Sequence, residues 1–466
     1  MKRLLSKAVW IFIGDGGAKL FGFLATVYLA RTLGVEQFGQ LAFALSVLGI
    51  SAWFTDMGIN TVATRSVAAD KKDNNRFPSD FLWLKVTLTF LTVILSSIIL
   101  WFIFIDQPTI RALCLLFLIS LIPQAFQIEW FYRGVQKFEW VTLGRWIQGL
   151  VYVTGLILIV TADDLLIVPV IYAISIFAGA FAMIVVYGNL QEIFKFPGIK
   201  RWGDIFRSGA KVGIGSFLAQ SVILFPYIIL AVIFSDRIVG LYGAAFKIIL
   251  VVMLADRVFT TLLLPNLSVM WVKKTETIAK SLETLSKWIL TAGCAASVIL
   301  WFNSEFIIIT LFGTEYSEAA RMLALLSLFI PATFLNSVFM YGLISSGDDN
   351  RFLSATLYGG ILSLVIMTFG ALSENIAVFV ISVVVSEITI TLFAYVIFNS
   401  VLPVKIMKPV FIVTSCFAVS MILAGYIPLA AAITTIITLF IFGLLLIVTR
   451  GIKSEDYTWL KRQITS

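Results

Sequence analysis

The sequence contains no histidine among its 466 residues. Catalytic or metal sites that depend on an imidazole are therefore excluded. The three cysteines, Cys114, Cys294 and Cys416, lie inside apolar runs and have neither metal-ligand spacing nor the pattern of a disulfide framework. No P-loop motif of the form G-x-x-x-x-G-K-[ST] is present, so the chain is not itself an ATPase of that type. We expect no metal, no cofactor and no enzymatic activity.

Charged residues are also scarce, at 13% of the chain against 60% hydrophobic residues and a mean hydropathy of +1.01. Soluble domains carry about 25% charged residues, so too few remain here to cover a water-facing surface. The apolar residues form long runs, such as residues 90–105 and 410–448. Runs of about 20 apolar residues match a bilayer core and are too long for the strands of a membrane barrel. The composition therefore predicts an all-α integral membrane protein.

Fourteen membrane helices are predicted from these runs and the breaks between them. A Gly-Tyr-Ile-Pro break at residues 425–428 divides the last run into two helices. The predicted helices span residues 8–30, 38–62, 81–105, 109–132, 140–160, 165–187, 209–234, 238–265, 286–311, 319–345, 352–371, 375–398, 408–425 and 428–449.

The basic residues test this map independently. Of the 34 lysines and arginines, 25 fall in alternate segments between the predicted helices, four fall in the intervening segments and five lie within helices. Cytoplasmic loops of membrane proteins are enriched in Lys and Arg. The pattern places both termini in the cytoplasm. It also accounts for the net charge of +8 without a nucleic-acid partner.

Three short matches indicate an internal repeat. The matching pairs are residues 38–44 (FGQLAFA) with 239–245 (VGLYGAA), 118–126 (LISLIPQAF) with 325–334 (LLSLFIPATF), and 134–138 (GVQKF) with 347–352 (GDDNRF). They relate helix 2 to helix 8 and helix 4 to helix 10. We therefore predict an N-lobe at 1–200, a C-lobe at 201–400, and a peripheral C-terminal helix pair with a cytoplasmic tail at 401–466. Transporters often place their site between such repeats.

Several motifs together resemble a known family. They are residues 30–39 (ARTLGVEQFG), 56–60 (DMGIN), 129–134 (EWFYRG), 239–247 (VGLYGAAFK) and 311–316 (LFGTEY). The sequence resembles, over about residues 8–400, the Wzx-type polysaccharide biosynthesis flippases of the MOP superfamily. That superfamily also contains MATE drug exporters and lipid II flippases.

This resemblance implies an alternating-access transporter of the inner membrane with a central cavity between two six-helix lobes. The implied ligand is an undecaprenyl-diphosphate-linked oligosaccharide of O-antigen, capsule or exopolysaccharide biosynthesis. Its diphosphate is anionic, its sugars require a wet cavity and its polyprenyl tail can stay in lipid. A polymerase and other polysaccharide assembly proteins are implied as partners.

Basic residues within the predicted helices are candidates for binding the diphosphate, because charge in the membrane is costly and usually functional. Lys19 and Lys247 lie near the middle of helices from different lobes, so both could converge on one diphosphate. Lys247 has no acidic residue three or four positions away. Arg257 lies closer to the cytoplasmic end of its helix, where it either binds substrate or extends to the interface. Lys85 is expected to reach the interface in the same way.

The acidic residues leave two interpretations open. Asp15 lies four residues before Lys19 on the same helical face, so the two form either a structural pair or separate functional groups. Asp15 also sits in a glycine run that either bends the helix or admits close packing. Glu387 is the one acid near the middle of its helix. It either binds a coupling proton or Na⁺, as Asp15 could, or pairs with a lysine.

Two other functions compete with a lipid-linked oligosaccharide flippase. A MATE-like exporter of cationic drugs should present acidic groups in its site, whereas the basic residues Lys19 and Lys247 stand out here. A lipid II flippase belongs to the same superfamily. A membrane glycosyltransferase or polymerase needs long loops or carboxylate clusters outside the membrane, and the predicted outer loops are too short for either.

Overall fold

In the computed structural model, the described residues are 2–69, 78–196, 198–256, 277–346, 348–426, 429–452 and 456–458. Within these ranges the regular secondary structure is entirely helical. A helix satisfies its own backbone hydrogen bonds, which is what a segment in lipid requires. The predicted all-α fold is confirmed.

The chain divides into two compact units, residues 1–240 and 241–466. Within the first unit, α10 packs on α1, α2 and α3. The sequence placed this helix at the start of the C-lobe. The lobe boundaries at 1–200, 201–400 and 401–466 stay a prediction. The helices that begin in the first unit are α1 (Lys2–Asp56), α2 (Ile59–Ala69), α3 (Ser79–Ile103), α4 (Pro108–Ile119), α5 (Leu121–Ala125), α6 (Glu129–Gly134), α7 (Phe138–Ile159), α8 (Val168–Tyr187), α9 (Leu190–Phe194), α10 (Trp202–Ile233) and α11 (Asp236–Val252).

Gly34 divides the longest helix, the 55-residue α1. Its φ of 75° and ψ of 175° are not helical, and the run is kinked there. Glycine adopts a positive φ without the steric cost that a Cβ imposes. At about 1.5 Å per residue, α1 is far too long for one crossing of a hydrocarbon core of about 30 Å. The kink therefore separates predicted helices 1 and 2.

The second unit continues from α11. Its last two helices are separate, as the break after Gly425 predicted, and both pack on α12. The helices are α12 (Thr277–Phe312), α13 (Ala319–Ser327), α14 (Phe329–Ser346), α15 (Asp349–Leu372), α16 (Ile376–Val401), α17 (Met407–Gly425) and α18 (Ala431–Val448).

One span in each unit is broken at a serine that precedes a proline. Ser120 separates α4 from α5 ahead of Pro123, and Ser327 ends α13 ahead of Pro331. Each hydroxyl donates to the carbonyl oxygen three residues earlier, at 2.6 Å in both cases. Proline cannot donate the backbone hydrogen bond that an uninterrupted helix needs. The same local construction at two matched positions agrees with the predicted repeat.

Twelve helices of the described residues are long and apolar enough to cross a membrane. A further candidate is the pair Trp202–Leu218 and Gln220–Ile233, bent by 56° within α10. The segment Ile13–Asp56, counted once among the twelve, contains the kink at Gly34. Dividing it there brings the number of apolar segments to the predicted value of about fourteen.

The outer faces of these helices carry large apolar side chains. Phe102 is 72% exposed, Leu158 76% and Phe369 70%. Monomeric soluble proteins rarely expose wide apolar patches, whereas lipid tails cover such faces at no cost. The chain is a multi-pass membrane protein.

Candidate functional site

Arg145 of α7 is the centre of an ionic network in the first unit. Its Nε donates to Glu129 Oε1 at 2.8 Å and its Nη2 donates to Glu129 Oε2 at 2.8 Å. Its Nη1 forms an ion pair with Asp15 of α1. Glu129 also pairs with Arg133, one turn along α6, at 2.9 Å. The two-pronged arginine–carboxylate geometry fixes three elements to one another.

The glycine run around Asp15 brings α7 against α1. A Cβ added at Gly14 would overlap the Thr142 hydroxyl, and one at Gly17 would lie 2.6 Å from Nε1 of Trp146. The Thr142 hydroxyl donates to the carbonyl oxygen of Trp10 at 2.9 Å. The helix stays regular through this run, since its non-helical residue is Gly34. Of the two interpretations that the sequence left open, the structure shows close packing.

Lys19 lies one turn beyond Asp15 on α1 and is half-buried. Asp15 itself is bonded to Arg145. The substrate role predicted for Lys19 stays a prediction, as does ion coupling at Asp15.

Lys85 departs from its prediction. We expected its ammonium group to reach the interface, but the residue is only 5% exposed. Its Nζ donates to Asn60 Oδ1 at 3.4 Å, and the Asn60 backbone N–H donates to Asp56 Oδ1 at 3.0 Å. Lys85 on α3 therefore points toward the turn between α1 and α2, where the polar groups of the 56–60 motif interact with its ammonium group.

The structure explains why the 56–60 motif has a glycine at position 58. Its φ is +81°, and a Cβ there would overlap the carbonyl oxygen of Gly209 on α10. Both the turn conformation and the close helix contact require a residue without a side chain.

The glycines at matched positions of the repeat, Gly39 and Gly240, contact each other within the first unit. A Cβ at Gly39 would overlap the Asp236 carbonyl oxygen, and a Cβ at Gly240 would overlap the Val35 carbonyl oxygen. Beside them, Gln40 Nε2 donates to Asp236 Oδ2 at 2.8 Å. The repeat glycines therefore allow the backbones of α1 and α11 to touch.

Lys247 lies on α11 in the second unit and is half-buried. Among the described residues it has neither an ion-pair partner nor a hydrogen-bond partner. An uncompensated ammonium in a membrane span is costly. Arg257, the third predicted cation, lies outside the described residues.

Glu387 of α16 is 5% exposed and faces α14. Asn336 Nδ2 donates to Glu387 Oε1 at 3.4 Å. The buried Oδ1 of Asn336 has no hydrogen-bond partner in the described ranges. No basic side chain there forms an ion pair with Glu387, so the alternative of a lysine partner finds no support among these residues.

The network around Arg145 was missed by sequence analysis, which assigned this arginine to the cytoplasmic charge. Residues 129–134 did stand out as a family motif. Within it, the four-residue spacing of Glu129 and Arg133 signals a helical ion pair. Nothing local shows that Arg145 completes the pair, because its partners lie 16 and 130 residues away.

Lys19 of the first unit and Lys247 and Glu387 of the second unit thus remain candidate functional groups. Chemically, the two lysines can bind an anion, and the Glu387 carboxyl group can take up a proton or a cation.

Comparison with known proteins gives the family. The model of the family described as "Polysaccharide biosynthesis protein" matches residues 4–271. The chain is 26% identical over 391 residues to the "Putative O-antigen transporter" of Escherichia coli (strain K12), covering 78% of this chain and 89% of that protein.

Solved structures share the fold. "Lipid II flippase MurJ, inward closed conformation" superposes with a TM-score of 0.74 at 14% identity, covering 96% of this chain and 99% of that one. An inward-facing multidrug resistance MATE family transporter of the MOP superfamily gives a TM-score of 0.67 at 11% identity, covering 82% and 94%. These relatives are transporters and flippases, not enzymes. The resemblance drawn from the motifs is confirmed, and the chain belongs to the polysaccharide biosynthesis protein family with the fold of MOP-superfamily transporters.

Proposed function

We propose that the chain moves an undecaprenyl-diphosphate-linked oligosaccharide from the cytoplasmic to the outer leaflet of the inner membrane, for O-antigen, capsule or exopolysaccharide assembly. The observation that carries this proposal is Lys247, an ammonium in a membrane span without a partner among the described residues. An anionic ligand would offset its cost. The 26% sequence identity to a protein named as a putative O-antigen transporter supports the same class of substrate.

Under this proposal Lys19 and Lys247 both bind the diphosphate during the transport cycle, and Arg257 adds a third positive charge. Ammonium groups suit this ligand because each can donate up to three hydrogen bonds to the diphosphate oxygens. A polymerase and other assembly proteins then use the translocated oligosaccharide.

Two other cargoes are possible for this fold. A lipid II flippase would also carry a diphosphate, so Lys247 does not separate it from the first proposal. A MATE-like drug exporter would need an acidic site for cations, and Glu387 offers a carboxyl group of that kind. The basic pair favours an anionic cargo over a cationic one.

Removal of the chain from its native cell tests the cargo. We expect a lipid-linked oligosaccharide to accumulate on the inner leaflet, identified by mass spectrometry of extracted lipids, with loss of the matching surface glycan. Accumulation of lipid II instead would assign the second cargo. Unchanged lipid intermediates together with increased drug sensitivity would assign the third and contradict our proposal.

Topology can be tested separately by cysteine labelling. The described native cysteines are all buried, so the background should be low. Cysteines introduced at Asp163 and Thr314 should react with an impermeant maleimide in intact cells, whereas one at Lys200 should not. Labelling at position 200 would contradict the proposed cytoplasmic termini.

Glu387 is the group that we propose for ion coupling, to H⁺ or Na⁺. Its carboxyl group is buried beside an amide oxygen without a partner among the described residues, and both could contact a bound cation. In proteoliposomes, transport by the wild type should respond to an imposed pH or Na⁺ gradient. Transport by Glu387→Gln should respond to neither. Equal gradient responses in the two proteins would refute coupling at this residue.

A further inference from the structure

A cavity of about 470 Å³ lies in the first unit, at the end that carries the predicted cytoplasmic loops. Its volume falls within the range of about 300–1,000 Å³ that is usual for small-molecule sites. In its lining, Phe131 and Tyr132 are buried, while Trp140 and Tyr187 are half-buried. The cavity therefore offers aromatic surface to a ligand, in addition to the polar groups of Lys137, Asn189 and Glu192.

Hydrogen bonds hold the acidic edge of the cavity in place. The Tyr187 hydroxyl donates to Glu192 Oε2 at 2.6 Å, and Asn189 Nδ2 donates to the same oxygen at 3.2 Å. Asn189 also caps α9, because its Oδ1 accepts from the Glu192 backbone N–H at 3.2 Å. The hydroxyl of Tyr132, also in the lining, donates to the Met183 carbonyl oxygen at 2.8 Å. These four polar side chains of the lining are thus held in place before any ligand arrives.

Two donors of the lining are unused. Neither the Trp140 indole N–H nor the Lys137 ammonium group has a hydrogen-bond partner in the part of the chain that the structure describes. The Trp140 ring also has no aromatic partner there. Trp140 is half-buried and packs on the hydrophobic cluster of this unit, so its indole N–H and the exposed part of its ring are available to a ligand.

The chemistry of the lining selects a class of ligand. The charges of Lys137 and Glu192 balance, so the lining gives no net attraction for an anionic or a cationic ligand. A purely apolar ligand would leave the Lys137 and Trp140 donors unpaired. A neutral sugar satisfies all of these groups. Its C–H face packs on an aromatic ring, its oxygens accept from nitrogen donors and its hydroxyls donate to a carboxylate.

We infer that this cavity binds an uncharged sugar residue of the glycan at the cytoplasmic face, before translocation. The inference rests on the proposed function. The cavity gives the protein a means of selecting the glycan that the diphosphate-binding lysines lack, because a diphosphate is common to every substrate of this kind.

Saturation-transfer difference NMR on the full-length protein in detergent tests the site directly. The probes are free hexoses, 6-deoxyhexoses and N-acetylhexosamines, with a uronic acid as the anionic comparator. At least one neutral sugar should give a saturable signal, and the uronic acid should not. Trp140→Ala should weaken that binding by about tenfold, the scale of one good aromatic contact. Trp101→Phe, at a position 53% exposed on α3, is the control and should bind normally.

Glu192→Gln is the second variant, because it keeps the hydrogen bond from Tyr187 and removes the charge. This variant should bind the neutral sugar more weakly than the wild type does, and it should bind the uronic acid. The absence of any signal that depends on Trp140 or Glu192, in variants that keep the wild-type elution profile, would overturn the inference.

An export assay separates this inference from the proposed function. If deletion of the chain abolishes a surface glycan but Trp140→Ala and Glu192→Gln export it at the wild-type rate, the cavity is not used and the flippase proposal stands. If deletion leaves every glycan unchanged, the proposed function itself fails. Reduced export of the native glycan by both variants, at normal protein levels, would support the cavity.

Discussion

The two units differ in whether charged residues inside membrane spans have partners of opposite charge. In the first unit, Arg145 is bonded to Glu129 and Asp15, which lie on separate elements. In the second unit, the described residues provide no charged partner for either Lys247 or Glu387. An arginine with two carboxylates stabilises the packing of its own unit. An isolated lysine or glutamate costs free energy in the same surroundings.

This difference helps to separate structural charges from functional ones. The second unit also contains a paired lysine, Lys287, whose Nζ lies 3.3 Å from Asp456 Oδ2. A lysine of that unit can therefore form an ion pair, whereas Lys247 forms none with the described residues. A charge without a partner in the resting protein is available to a ligand.

Substitution of Lys247 should give the largest effect on transport. Lys247→Gln should lower glycan export by at least about tenfold, since a hydrogen bond to a charged group contributes about 1.5–3 kcal/mol. Thermal stability should be unchanged or higher, because an uncompensated charge is removed. Lys247→Arg should retain more export than Lys247→Gln. Export is measured as surface glycan per unit of protein in membranes.

Lys405→Gln, at an exposed position between α16 and α17, is the control for loss of one positive charge. Normal export by Lys247→Gln at normal protein levels would make this lysine structural and break the comparison.

Arg145→Gln should give the opposite result, with a large loss of stability. It leaves Glu129 and Asp15, both partly buried, without their common partner, and each carboxylate deprived of its hydrogen bonds costs about 1–3 kcal/mol. The Tm of the purified protein and its level in membranes should both fall. The double variant Arg145→Gln/Glu129→Gln should recover part of the loss, because the two residues are coupled. A Tm equal to that of the wild type would show that this network does not stabilise the unit.

Gly39→Ala should have a smaller effect on stability than Arg145→Gln. The added methyl group would overlap the Asp236 carbonyl oxygen and force α1 away from the start of α11, at a cost of about 1–3 kcal/mol. Gly22→Ala is the matched control on the same helix, since a Cβ there has nothing within 4 Å. The Tm difference between the two variants measures the contact of the repeat glycines, and equal Tm values would argue against it.

Asp164→Asn should have the smallest effect on thermal stability among these variants. Hydrogen bonds from the Thr161 hydroxyl at 2.5 Å and the Thr161 backbone N–H at 2.9 Å lower the pKa of the Asp164 carboxyl group. Because the pKa is lower in the folded state, this stabilisation is complete at neutral pH and is lost only as the pH falls through the folded pKa. We expect a small Tm decrease that is constant from pH 6 to 8 and disappears in acid. A Tm difference that grows as the pH rises through this range would contradict the assignment.

The class of the protein, its number of spans and its family all follow from the amino-acid sequence. Each span is a contiguous run whose transfer into lipid depends on its own residues, so composition and length suffice. The kink at Gly34 and the breaks before Pro123 and Pro331 are also local, because they arise from the backbone preferences of glycine and proline.

Which charges have a partner becomes visible only once the helices are packed together. Lys85 and Arg145 both carry charges that sequence analysis assigned to the cytoplasmic side or its interface, yet their partners lie on other helices. Lys19 and Lys247 could not be told apart from such residues by position alone. Hydropathy depends on the residue itself, whereas the cost of a charge depends on a partner that folding brings from a distant part of the chain.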